Sequence, residues 1–252
     1  MSLNDALEAI PRKSIVLFFL IDTSGSMNGS KIGAVNAAIE EVIPELKDIS
    51  AANADAEVKI AALEFADSAS WITDSGPIPV DNFLWRYVDA FGNTAMGNAF
   101  RKLNEKLSTK GFMSETFGSY APVIFLLSDG EPTDDFTGGL NELKNNKWFN
   151  AAIKVAVAIG DDANKNRLAE FTGSPESVLE VHNSAILCKT IKFLSVRASQ
   201  IASKSVQVSP VKQTADIDNS FNEKSSSAKQ NLLNEQLAEI KTAAAASGDN
   251  EW

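Results

Sequence analysis

Asp22, Ser24 and Ser26 stand at alternate positions where a long apolar run ends, so one carboxylate and two hydroxyls are offered together just beyond a buried strand. No histidine or cysteine is near them in sequence. A donor set made only of oxygen suits a hard cation, Mg²⁺ first and then Mn²⁺ or Ca²⁺. Two further segments carry groups able to complete such a site: Ser128-Asp129-Gly130-Glu131, and Gly92-Asn93-Thr94-Ala95-Met96-Gly97. Mg²⁺ favours octahedral oxygen coordination and retains waters, so hydroxyls can bind it directly while carboxylates hold its waters. Gly25, Gly92 and Gly130 allow backbone to turn sharply beside an ion. Each piece alone has an ordinary alternative. Asp22 and the serines suit a helix N-cap, Thr94 and Asp129-Gly130 suit turns, and Asp134 and Asp135 suit helix-start charges. The metal reading rests on all three segments meeting.

The elements that would bring them together follow from hydrophobic patterning. Continuous apolar runs at 14–21, 123–127 and 153–159 are separated by helix-length segments, the mark of a parallel sheet covered on both faces. Residues 31–46 place Ile32, Val35, Ile39, Val42, Ile43 and Leu46 at helical spacing, and 96–107 do so with Phe100, Leu103 and Leu107. Residues 58–65 alternate more, and 69–73 follow closely enough for a short antiparallel edge strand joined by a hairpin. A polar loop leading to a helix is expected over 134–149, a short helix over 164–171, a weak strand at 178–181 and a helix over 185–201. The expected architecture is an α/β, three-layer, doubly wound and mostly parallel sheet. In such sheets ligands sit outside the carboxyl ends of the strands, where the strand order reverses.

Residues 1–13 form a lead, 14–202 the domain, and 203–252 a polar tail rich in Ser, Lys, Gln, Asn and Ala that should be loosely held. Within that tail, 226–244 set Leu232, Leu233, Leu237 and Ile240 in a narrow apolar stripe, which suits either a docking helix or a solvated one. The chain of 252 residues, 44% hydrophobic, can bury a proper core. A net charge of −10 with no concentrated basic face argues against a nucleic-acid partner. One cysteine, Cys188, excludes an internal disulfide and suits a reducing compartment. Asn4, Asp5 and Glu8 precede the first apolar run, which is too short to span a membrane, so a cytoplasmic protein without a membrane partner is expected.

Asp-x-Ser-x-Ser, a distant Thr and a distant Asp make up the metal-ion-dependent adhesion site of the von Willebrand factor A family, which this chain resembles through Asp22-Thr23-Ser24-Gly25-Ser26, Thr94 and Asp129. The three-segment pattern is far more specific than a lone short motif. Ile-Asp-Thr-Ser-Gly-Ser-Met, followed by Ala-Val-Asn, and Leu-Ser-Asp-Gly-Glu-Pro-Thr-Asp-Asp are similar to the bacterial tellurite-resistance-associated, TerY-like branch. The resemblance implies that Ser24, Ser26 and Thr94 are hydroxyl ligands and that Asp22 and Asp129 lie in or just behind the coordination shell. It further implies an open coordination position for a Glu or Asp of a partner protein. It also implies a stress-response or phosphorylation-linked setting, whose partners include a protein kinase and a PP2C-type phosphatase. Glu131 and Asn93 are expected to tune the site from its rim.

Other chemistries fit less well. Residues 25–31 lack the Gly-Lys-Ser/Thr order of a phosphate loop. A haloacid-dehalogenase-type phosphatase would use the strand ending in Asp22 together with Ile159-Gly160-Asp161-Asp162. Two residues after its nucleophile it needs a general acid, and Ser24 cannot serve as one at neutral pH. His182 has no nucleophile placed beside it by the sequence, and Cys188 sits in an apolar helical pattern that suits a small core residue. The expectation is therefore a binding module and not an enzyme. The competing reading is a scaffold assembling through its C-terminal helix, with a metal that only holds loops together.

Overall fold

The computed structural model describes residues 12–115, 118–181 and 184–203, with 228, 230–232, 234, 235, 237 and 238 beyond them. The strands are β1 (Lys13–Asp22), β2 (Ala56–Phe65), β3 (Ala69–Trp71), β4 (Ile78–Pro79), β5 (Val123–Ser128), β6 (Ile153–Ile159) and β7 (Val178–Val181). The helices are α1 (Ser30–Ala52), α2 (Met96–Lys106), α3 (Phe136–Lys144), α4 (Lys147–Ala151), α5 (Lys165–Thr172) and α6 (Ser184–Ser203). The sheet order is β3-β2-β1-β5-β6-β7, with β4 also on β2. All pairings among β2, β1, β5, β6 and β7 are parallel, while β3 and β4 run antiparallel to β2. The hairpin expected at 69–73 is β3. The two-residue β4 escaped notice because it is too short to show alternation.

β1 explains the layering. Every residue after Lys13 is buried, as a central strand covered on both faces requires. Ile15, Leu17, Phe19 and Ile21 pack with Val35, Ile39 and Val42 of α1 and with Leu187 and Ile191 of α6. Val16, Phe18 and Leu20 pack on the opposite face with residues of α2, α3 and α5. There Phe100 of α2 stacks on Phe171 of α5 with ring centroids 5.3 Å apart. Helices α2 and α3 meet through glycines, since a Cβ at Gly139 would lie 2.4 Å from the carbonyl oxygen of Gly97, and one at Gly97 would lie 2.3 Å from that of Asp135. This backbone contact seats the start of α2, and Thr94 just before it, against the loop that follows β5.

Strand order reverses between β1 and β5, because β2 lies on one side of β1 and β5 on the other. Asp22 ends β1 and Asp129 directly follows β5, so both stand at the mouth of that crevice. At the other end of the sheet, Gln230 of the C-terminal segment accepts a hydrogen bond from Lys154 N (3.1 Å) and donates one to Lys154 O (3.1 Å). Residues 228, 230–232, 234, 235, 237 and 238 are helical, and Leu237 is fully buried as part of the core cluster on the α1 and α6 face of the sheet, while Leu232 is exposed. Leu233 and Ile240 of the expected stripe lie outside the described residues.

Candidate metal centre

Asp22 is fully buried, and both its oxygens are engaged. Oδ1 accepts the N–H of Ser24 (2.9 Å) and Oδ2 accepts the Ser128 hydroxyl (2.5 Å). The Ser128 oxygen in turn accepts the N–H of Gly130 at 2.8 Å. Asp22 therefore clamps the loop after β1 to the loop after β5. Burial pushes its carboxyl up to about 6, against the lowering effect of the Ser128 and Ser24 hydrogen bonds, and the charge of Asp129 adds to the rise.

Ser24 is buried and Ser26 exposed, on a tight turn (Gly25–Met27), with their hydroxyl oxygens 3.1 Å apart. Gly25 N donates to Gly92 O (2.9 Å) and Phe91 N to Thr23 O (2.8 Å), which lashes the segment leading to Thr94 onto the β1 loop. Thr94 is held by a reciprocal pair: its N–H donates to the Thr133 hydroxyl (3.0 Å) and its carbonyl accepts the Thr133 N–H (2.9 Å). Its own hydroxyl is used in neither bond. Asp134 accepts the N–H groups of Gly97 and Asn98, each at 2.8 Å, and so caps α2 from across the crevice. Asp135 caps α3 through Gly138 N. Both carboxylates are helix-start charges, as the sequence suggested.

Asp129 is 3% exposed. Its Oδ2 lies 3.4 Å from the ammonium of Lys31, and its Oδ1 is buried with no hydrogen-bond partner. Such an oxygen is costly unless something outside the chain satisfies it. The other buried side-chain atoms without a partner among the described residues, Glu45 Oε2, Trp71 Nε1 and Thr190 Oγ1, lie on α1, β3 and α6. The orphaned oxygen, the two serine hydroxyls, Thr94 and Asp22 make a donor set that fits a hard divalent cation. Among the described residues no three His, Cys, Asp or Glu side chains gather into a metal cluster, so hydroxyls and water would have to supply the remaining positions.

The rim residues are occupied. Glu131 accepts a hydrogen bond from Asn164 (3.0 Å), and Asn93 donates through its backbone and side chain to Asp67. Cys188 is half-buried against the α1 and α6 side of the core, where the apolar pattern had suggested a core position. Burial raises its thiol. His182 lies outside the described residues. The sequence reading missed Lys31, Thr133, Asp134 and Asp67 as parts of this assembly. Only Lys31 left a signal, a cation in the first turn of a helix, where it opposes the macrodipole.

This arrangement defines a class: a doubly wound α/β domain with an oxygen-rich crevice, bordered by Lys31, at its topological switch point. The von Willebrand factor type A domain model matches residues 17–192, and the chain belongs to that family of interaction and adhesion modules. The pilus adhesin SpaC from Lactobacillus rhamnosus GG is similar with a TM-score of 0.57 at 14% identity, over 73% of this chain and 30% of that one. A von Willebrand factor type A protein from Catenulispora acidiphila gives 0.54 at 18%, over 74% and 43%. The ArnB paralog VWA2 from Sulfolobus acidocaldarius gives 0.52 at 17%, over 71% and 44%. At these identities the likeness is one of fold, and this chain spans less than half the length of each of the three. No curated protein sequence matches it. Among the described residues no helix is long and apolar enough to cross a membrane.

Proposed function

We propose that this domain is a metal-dependent protein-interaction module whose cation, Mg²⁺ or a similar hard ion, is held by Asp22, Ser24, Ser26, Thr94 and Asp129 and receives a Glu or Asp carboxylate from a partner protein. The observation that carries the reading is the buried, unpartnered Oδ1 of Asp129, just past β5 beside the strand that ends in Asp22. The cation would supply Lewis acidity toward a carboxylate. The chain's own part is to fix the donors: Asp22 and Ser128 clamp two loops, and Thr133 and Asp134 fix the third. Two aspartates roughly cancel the charge of a divalent ion, which leaves it attractive to one more anion in a partly dry cleft. Binding of this kind requires no bond breaking, and we infer no enzymatic activity. The unit concerned is 14–202, and a cytoplasmic stress-response or tellurite-resistance-like setting with kinase and PP2C-type phosphatase partners belongs to the same proposal.

The scaffold alternative asks the C-terminal helix to face a partner. Against it, Gln230 and Leu237 are already used within the chain. The test is thermal melting and pull-down with wild-type and Asp22→Ala proteins in Mg²⁺ and in chelator. Mg²⁺ should raise the wild-type melting temperature alone, and an acidic-group partner should be retained by wild type only with metal. Retention indifferent to both chelator and substitution would overturn the metal bridge.

A further inference from the structure

Lys31 is in the first turn of α1, where a positive charge works against the helix dipole and no acidic residue of that turn offsets it. Its position is explained by what lies across the crevice. The ammonium is 3.4 Å from Asp129 Oδ2 and 2.8 Å from Asp162 Oδ1, so it bridges the loop after β5 and the loop after β6. Space has been cleared for it: a Cβ at Gly160 would come within 2.6 Å of Lys31 Cε, and Gly160 has φ +95°. The two carboxylates it joins differ in kind. Asp129 is 4% exposed along its side chain and Asp162 73%, so only the first is held away from water. Asn164, two residues beyond Asp162, donates its backbone N–H to Asp129 O at 2.6 Å and keeps the two loops in register.

We propose that Lys31 is a built-in cationic latch on the metal site, sharing Asp129 with the divalent ion and handing over to Asp162 when the ion binds. The inference rests on the metal-site reading above. A monovalent ammonium beside a buried carboxylate partly neutralises it and repels an arriving dication, so the latch lowers metal affinity. Asp162 acts in the opposite direction, because it gives the displaced ammonium another partner. Removing the lysine should therefore tighten metal binding and removing Asp162 should weaken it. A purely structural role for the bridge would weaken binding in both cases.

The test is calorimetric titration of the full chain with Mg²⁺ and with Mn²⁺, comparing wild type with Lys31→Met, Lys31→Arg, Asp162→Asn and Asp22→Ala, each checked for cooperative melting in chelator. Lys31→Met should bind either metal about tenfold more tightly, Lys31→Arg should stay near wild type, and Asp162→Asn should bind about threefold more weakly. If wild type binds metal and Asp22→Ala does not, while Lys31→Met shows unchanged or weaker affinity, the site stands and the latch is overturned. If neither wild type nor Lys31→Met binds metal, the site reading fails and the latch with it. Binding seen only in Lys31→Met would be the latch at full strength.

Discussion

Polar groups are buried at both ends of the sheet, but the two ends treat them differently. At the amino ends, Ser14 exchanges backbone hydrogen bonds with Gly118 and Tyr120, Ser50 accepts from Val58 N, and Ser177 bonds to Gln230 and Asn234. Each of these groups finds its partner in the chain itself. At the carboxyl ends, Asp22 carries a carboxyl raised to about 6 by burial, and Asp129 keeps one oxygen without a partner. A satisfied buried network adds rigidity, whereas an unsatisfied one carries a free-energy cost that a ligand can remove. The comparison separates the end that completes the fold from the end left incomplete by it.

The sharpest break in that comparison comes from Asp22. Asp22→Ala should lower metal affinity about a hundredfold or more, because it removes a carboxylate of the site and the clamp between two of its loops. In chelator the same variant should be destabilised by about 2 kcal/mol, because the Ser24 N–H and the Ser128 hydroxyl lose their buried acceptor. Titration calorimetry and melting in Mg²⁺ and chelator read the two effects apart. Metal affinity unchanged in the destabilised variant would make Asp22 an ordinary structural residue, like those of the opposite end.

Gly97→Ala tests how far the carboxyl end depends on helix packing. An added Cβ would meet Asp135 O at 2.3 Å and could be relieved only by shifting α2 or α3, since the neighbour is backbone. The expected cost is about 3 kcal/mol in chemical denaturation. Metal affinity should also fall by about tenfold, because the shift moves Thr94 away from Thr133. An unchanged affinity in a destabilised protein would show that Thr94 is not a ligand.

Much of this was legible in the chain, and the exceptions share a physical cause. The runs of β1, β5 and β6 announced a buried parallel sheet because two-faced burial forces continuous apolar stretches. The Asp-x-Ser-x-Ser run was legible as oxygen-bearing residues crowded where β1 ends, but not the tight turn that carries Ser26. Cross-loop pairings were not legible. Thr94 with Thr133, Asp134 with the start of α2, and Lys31 with Asp129 and Asp162 join residues far apart in sequence, and no local period encodes them. The C-terminal stripe was ambiguous for a related reason: of its described residues Leu237 is buried and Leu232 exposed, a split set by the assembled core and not by the local pattern.

Lys154 sharpens the comparison through pH. It lies at the start of β6, donates to Phe149 O and Ala152 O, and sits over the Phe149 ring with Nζ 4.9 Å from the centroid. Burial lowers its pKa from 10.5 to about 8. Between those values the folded chain binds fewer protons at this group than the unfolded chain, so its contribution to stability rises with pH across that window. The stability of wild type relative to Lys154→Met should therefore grow by about 2 kcal/mol between pH 7 and 9.5, without a parallel change in metal affinity. A flat difference would mean that the ammonium is hydrated and that this end is less sealed than its hydrogen bonds imply.

The smallest effect is expected at Gln230, and it separates the two ends most cleanly. Its amide meets both backbone polar groups of Lys154 on a part of β6 that precedes the pairing with β7, doing there what an additional strand would do. It also donates to Ser177, which Asn234 contacts through the same hydroxyl. Gln230→Ala exposes these groups to water that can replace the lost partners, so the cost should be only about 1 kcal/mol in urea denaturation. Metal affinity should be unchanged, since the substitution lies at the opposite end of β6 from the loop that carries Asp162. If it changed, the C-terminal helix would be coupled to the crevice through the sheet, and the two ends would have to be treated as one cooperative unit.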